Sequence, residues 1–184
     1  ITIKYLLPFL LYILPCSSQA QSTIHNLQFS IKNFSPKDYN GSSQNWAAVQ
    51  DRRGVMYFAG GASDGGVLSY DGVYWRQHPT KYSNMVFSLA LDSVGRLFAG
   101  ARGEFGVYLP DSAGTLTFHA ISDHLPDSLR DFSIVWKTHA LKGTVYFNAF
   151  KYIFVFDGDS LHAMYPENRF FISHLVNDRL WVQR

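Results

Sequence analysis

One spacing constrains this chain more than any other feature. A strand–turn–strand segment recurs along it, and a period of that length means serially repeated architecture. Asp51, Gly54 and Tyr57 return as Asp92, Gly95 and Phe98, each 41 residues on. The register holds without gaps from Trp46, which matches Phe87. A looser third copy runs from Val135 and Trp136 to Gly143, Tyr146 and Asn148, its Gly lying 48 residues after Gly95 and its turn lacking the Asp. A fourth copy begins at Ile172 and continues through Asn177 and Asp178 to Trp181.

Each conserved element of the unit has a physical use. An Asp opening an Asp-x-x-Gly turn accepts backbone N–H bonds, and the closing Gly tolerates positive φ. The flanking segments alternate or run apolar, as strands buried on one or both faces do. The aromatic after each turn (Tyr57, Phe98, Tyr146, Trp181) suits the space between neighbouring sheets. A second hairpin follows each first one. Asp71-Gly72 and Asp157-Gly158 are short hairpin signals, and Pro110 to Gly114 makes a longer turn between Gly106–Leu109 and Leu116–Phe118. Four short strands per unit predict an all-β chain, a β-propeller with about three blades and the start of a fourth. The ring is incomplete on this reading and seven-bladed in full. A β-sandwich of unrelated hairpins does not explain the ungapped register. No amphipathic helix is evident, although residues 123–131 could form a helical turn.

Composition agrees. Aromatic residues are 16% of the 184, charged residues another 16%, and there are 14 glycines, a mixture suited to tight turns between packed strands. A formal net charge of +2, with basic residues scattered among acids, gives this segment no nucleic-acid footprint. The chain begins at Ile1, and residues 179–184 read as a strand cut partway, so a longer protein is expected.

Residues 1–20 read as a signal peptide: Lys4 supplies the positive start, Tyr5 to Leu14 the apolar stretch, and Ser18-Gln19-Ala20 the cleavage site. Pro8 and Pro15 interrupt the run, which is too short to span a membrane. A lipoprotein signal at Cys16 is disfavoured by Pro15 before it, and a buried N-terminal helix is the remaining alternative. Residues 21–184 are then the N-terminal part of a propeller sensor domain. Cys16 is the only cysteine, so a chain cut after Ala20 has no thiol for a disulfide, a thiolate metal site or a nucleophile.

The run from Phe34 to Trp46, with Gly66–Trp75, the Gly103-Glu104-Phe105-Gly106 block and Phe132–Trp136, resembles the sensor region of Bacteroidetes-type regulators that carry two-component regulator propeller repeats. The resemblance implies a periplasmic, membrane-anchored, ligand-sensing propeller. It implies further blades, a small β-sandwich, a membrane helix and a cytoplasmic histidine kinase or LuxR-like DNA-binding output, none of which lies in this segment. The implied partners are a small-molecule or oligosaccharide ligand, the rest of the propeller, the downstream membrane helix and, at full length, a second copy as a homodimer.

In a propeller, the loops before the first strand and between the second and third strands open on one rim, where a rigid scaffold presents contacts. That register selects Asn45, Trp46, Asp64, Arg102, Glu104, Trp136 and Lys151 as ligand contacts, with Asn84 and Met85 also at a strand start. Competing structural readings are packing of Trp46 and Trp136 between blades and an Arg102–Glu104 ion pair. The seven histidines show no metal-ligand spacing, and there is no nucleophile elbow or phosphate loop. No catalytic residue, metal or cofactor is expected in this segment, and kinase activity is expected only downstream. The alternatives are a secreted propeller enzyme acting on polysaccharide, for which Asp64 and Glu104 would be the carboxylate pair, and a non-catalytic protein-binding scaffold.

Overall fold

The computed structural model describes residues 31–60, 62–82, 85–167 and 169–183. Residues 1–20, expected to be a signal peptide, and Asn84 lie outside the described residues. Of the two compact units, Ile1–Asn33 and Phe34–Arg184, the second holds every described helix and strand.

The strands fall into three four-stranded antiparallel meanders and one hairpin. The first sheet is β1 (Ala47–Gln50), β2 (Met56–Ala59), β3 (Val67–Tyr70) and β4 (Trp75–His78). The second is β5 (Val86–Leu91), β6 (Leu97–Ala101), β7 (Phe105–Pro110) and β8 (Leu116–Ala120). The third is β9 (Val135–Leu141), β10 (Thr144–Ala149), β11 (Ile153–Phe156) and β12 (Leu161–Met164), and the hairpin is β13 (Ser173–Val176) with β14 (Arg179–Val182). Sequence order is spatial order in every sheet, and no sheet closes on itself. Two short 3-10 turns, Ile121–His124 and Asp127–Leu129, fall where a helical turn was expected. A four-residue helix, α1 (Pro36–Tyr39), was not expected; Phe34 just before it and Tyr39 at its end pack on Trp75 of β4 at 5.2 and 5.1 Å between ring centroids.

Turn chemistry sets the sheet register. Asp51 Oδ1 accepts the backbone N–H groups of Arg53 and Val55 at 2.9 and 3.0 Å, and Asp92 Oδ1 those of Val94 and Arg96 at 3.0 and 2.8 Å. Gly54 and Gly95 close these turns at φ 87° and 89°, where a Cβ would be strained. Asp111 builds the same device between β7 and β8, accepting from Ala113 and Thr115 at 2.8 and 2.9 Å. The third repeat replaces it with a two-residue turn. Leu141 pairs with Thr144, and Lys142 and Gly143 both take positive φ, as a type I′ turn requires. Asn177 and Asp178 do the same between β13 and β14.

The core lies between successive sheets. Tyr57, Val67, Val86, Leu89, Leu97 and Tyr108 fill the first junction; Phe98, Phe105, Phe132, Val135, Phe147 and Phe154 fill the second. Ile153, Val155 and Phe170, with Tyr146 and Val182 beside them, fill the third. Burial of such side chains is worth roughly 1.5–3 kcal/mol each, which makes these junctions the main cohesive element. The aromatic after each first turn tracks the sheet that follows it. Tyr57 is 4% exposed and Phe98 1%, each covered by a full sheet; Tyr146, beside the two-stranded hairpin, is half-buried; Trp181 is 60% exposed. Polar pins cross the junctions as well. Ser88 Oγ donates to the Val135 carbonyl at 3.0 Å and lies 2.8 Å from Thr138 Oγ1, and Asn148 Nδ2 donates to Ser173 Oγ at 2.8 Å.

Candidate functional site

The site is built by a bulge at the start of the first strand of the second and third sheets. In the second sheet Val86 pairs with Ala101 and Ser88 with Gly100, leaving Phe87 as the extra residue. In the third sheet Val135 pairs with Ala149 and Lys137 with Asn148, leaving Trp136 extra. A bulge re-aims the side chain of the inserted residue. Trp46 holds the corresponding place ahead of β1, its N–H donating to the Ala59 carbonyl at 2.9 Å.

These three rings meet although 41 and 49 residues separate them in sequence. Trp46 lies 5.2 Å from Phe87, Phe87 5.2 Å from Trp136, and Trp46 6.0 Å from Trp136, all tilted or edge-to-face. Phe150, in the loop between β10 and β11, extends the row against Trp136 at 5.7 Å. Phe87 is buried, while Trp46 is 42% exposed and Phe150 38% exposed. The Trp136 ring is half-buried, and its Nε1 is enclosed without a hydrogen-bond partner. Such a surface offers flat apolar faces, which suits a ligand with a ring face.

Charged groups flank the row. The exposed Arg102 guanidinium lies 5.9 Å from the centroid of Phe87, within cation–π range. Arg102 and Gly103 form the tip of the loop between β6 and β7, closed by the Ala101 N–H on the Glu104 carbonyl at 2.9 Å and tied to the next sheet by the Gly103 N–H on the Ser133 carbonyl at 2.6 Å. Lys151, next to Phe150, is exposed and ion-paired with Asp131.

Of the residues selected from the sequence, Trp46 and Trp136 touch each other, and Arg102 joins them through Phe87. Asn45 is exposed beside Trp46, and Lys151 reaches the row only through its neighbour Phe150. Asp64 is exposed in the turn between β2 and β3, next to a separate cavity of 390 Å³ lined by Gly41, Ser42, Ala62, Ser63, Gly66 and Met85 among others. Glu104 is fully buried beneath its loop, and its charge raises the pKa of Tyr108, already raised by burial. Phe87 and Phe150 are the site residues that motif reading passed over. The signal for Phe87 was present, since it aligns with Trp46 in the repeat. Counting back from the fourth turn, Phe171 holds the position of Trp136 and is 57% exposed, so every copy carries an aromatic there.

The fold and site together define a β-rich protein of serially packed four-stranded meanders with an aromatic row at one rim. No protein-family model matches the chain, and no curated protein does. Solved structures match it in fold. The extracellular domain of the one-component system BT4673 from B. thetaiotaomicron superposes at a TM-score of 0.56 with 18% identity, over 78% of this chain and 20% of that one. A second structure, titled as the extracellular domain of the hybrid two-component system BT4673, gives 0.55 and 16% over 75% of this chain and 19% of that one. The extracellular domain of the hybrid two-component system BT3049 from the same organism gives 0.49 and 15%, over 75% and 20%. At these identities the likeness is one of fold. It is consistent with the resemblance read from the sequence, and the chain spans about a fifth of the length of those structures.

Proposed function

We propose that this chain is the N-terminal part of a periplasmic, ligand-sensing β-propeller in a membrane-anchored signalling regulator, exported by residues 1–20. The observation that carries the reading is the aromatic row. Trp46, Phe87 and Trp136 come from three sheets, occupy one position of the repeat, and meet at one rim with Arg102 beside them. A ring of such sheets places that rim around its mouth, where several loops meet one ligand. The solved structures similar in fold are extracellular domains of signalling systems, which supports the sensing role.

Each sheet is one blade on this reading, and the exposed Trp181 is covered by the next. Trp46, Trp136 and Phe150 stack on the ligand, an oligosaccharide or other small molecule with flat apolar faces. Asn45, Arg102, Lys151 and Asp64 supply polar contacts, while Glu104 supports its loop from within. Titration of the intact protein with an oligosaccharide panel, read by tryptophan fluorescence, tests the site. Trp46→Ala and Arg102→Ala each weaken the ligand found by about tenfold, on the scale of one lost stacking or charge-assisted contact. Unchanged affinity in both variants removes the site. The gene beyond Arg184 tests the wider reading, which predicts further repeats and then a membrane helix; repeats without a membrane helix overturn it.

A further inference from the structure

A second cavity lies away from the aromatic row. It is a groove of 780 Å³ between the first two sheets, where the Asp-containing turns cluster. Four arginines line it: Arg52 and Arg53 from the first turn, Arg76 from β4 and Arg96 from the second turn. Three have a carboxylate partner, and the partners lie beneath them. The Arg53 side chain is 75% exposed over an Asp51 that is 8% exposed, and Arg96 is 43% exposed over an Asp92 at 6%. Arg76 is 54% exposed and Asp71 28%. The carboxylates accept turn N–H groups and orient the guanidinium groups; Asp51 and Asp71 line the groove with the four arginines, which leaves the arginines in excess. Arg52 donates to the Ser93 carbonyl at 2.9 Å, which ties the first turn to the second across the groove. Each guanidinium has five donors, and the bonds to Asp, Tyr57 and Ser93 use at most three of them on any one arginine.

The groove has a polar floor. Ser69 and His78 line it, both buried, with Ser69 Oγ 2.8 Å from His78 Nε2. His78 is 5% exposed, and burial lowers its pKa against the opposing pull of the Leu116 backbone.

We infer that this groove is a second binding site, independent of the aromatic row, for a small polyanion bearing two or more carboxylate, sulfate or phosphate groups. Arginines held in orientation by Asp51, Asp71, Asp92 and the Ser93 carbonyl lose little entropy on engaging such groups, and their planar donor pairs match them. The ligand bridges turns from two sheets, so its occupancy is sensitive to their relative position.

Calorimetric titration of the intact protein at low ionic strength tests this, with citrate, inorganic pyrophosphate and a disulfated disaccharide as probes and neutral maltotriose as control. At least one anion binds, maltotriose does not, and raising salt weakens binding. Which anion wins separates a carboxylate from a sulfate or phosphate source. Arg52→Gln and Arg76→Gln each reduce affinity about tenfold, and together about a hundredfold. Lys37→Gln, which removes an exposed charge from outside the groove, leaves binding unchanged. Thermal unfolding of Arg52→Gln checks the fold, and Arg52→Glu gives a second reading through the same exposed position. Absence of anion binding, or equal loss in Lys37→Gln and Arg52→Gln, overturns the proposal; neither outcome bears on the aromatic row.

Discussion

Replacement of Phe105 by Ala tests whether the junction between the second and third sheets is the main source of cohesion. Phe105 is fully buried and stacks on Phe147 and Phe154 at 4.4 and 4.9 Å, with Phe132 tilted against it at 5.5 Å. Two of those rings belong to the third sheet and one to the loop before it, so one truncation removes contacts across the whole junction. Large-to-small changes at such a site cost about 3–5 kcal/mol through lost transfer energy and the cavity left behind. Aromatic pairs add roughly 0.5–1.5 kcal/mol each beyond burial, which places the expected loss at the upper end. Phe105→Leu keeps most of the volume and should lose about 1–2 kcal/mol. Urea unfolding of the intact protein followed by circular dichroism reads these differences as shifts in midpoint at constant slope. Phe150→Ala is the internal control: that ring is 38% exposed, so the expected loss is about 1 kcal/mol or less. If Phe105→Ala costs no more than Phe150→Ala, the junction is not where the stability lies and the packing argument fails.

Further expectations concern the backbone, the turns and pH. Gly106→Ala should destabilise by about 2–3 kcal/mol by urea unfolding, because its Cβ would stand 2.1 Å from the His119 carbonyl oxygen of the neighbouring strand. Gly72→Ala, with no atom within 4 Å, should cost only about 1 kcal/mol for its φ of 97°. Asp92→Ala leaves two turn N–H groups and Arg96 without their acceptor and should lower stability by about 1–2 kcal/mol in the same assay. His78 and His139 are both depressed below 6.5, chiefly by burial, so the unfolded chain binds more protons than the folded one below that pH. Their contribution is therefore fully present above about 6.5 and is lost as pH falls through the folded-state values. A melting temperature that drops between about pH 7 and pH 5, and drops less in His78→Gln, is the expected result; a flat profile contradicts it.

Much of this architecture was readable because it rests on local chemistry. The Asp51 and Asp92 turns were legible from Asp and Gly at fixed spacing, and their carboxylates make the bonds that spacing implied. The loss of Asp in the third turn was visible too. Its reason was not, because a two-residue turn is defined by the pairing of Leu141 with Thr144 rather than by composition. Side-chain direction was the main loss. The sequence placed Glu104 on the rim beside Arg102, yet Arg102 is exposed over Phe87 while Glu104 is buried. Residues two apart in so tight a loop point apart, and only the backbone decides which faces out. Phe87 and Trp136 are aimed by bulges, which shift the pairing by one residue and leave no mark in composition. The arginine groove was hidden for a different reason. Its members are spread from Arg52 to Arg96 and meet only once two sheets have packed.

The central claim is that these sheets are successive sectors of one ring, and the environment of Trp181 tests it most directly. Tyr57 and Phe98, in the same place in the first two sheets, are 4% and 1% exposed because another sheet covers them, whereas Trp181 is 60% exposed. A crystal structure of the whole repeat region should show a further four-stranded sheet against β13 and β14, Trp181 buried as Tyr57 and Phe98 are, and Trp46, Phe87, Trp136 and Phe171 spaced around one mouth. Trp181 left in solvent, or covered by a sheet packed face to face as in a sandwich, contradicts the account.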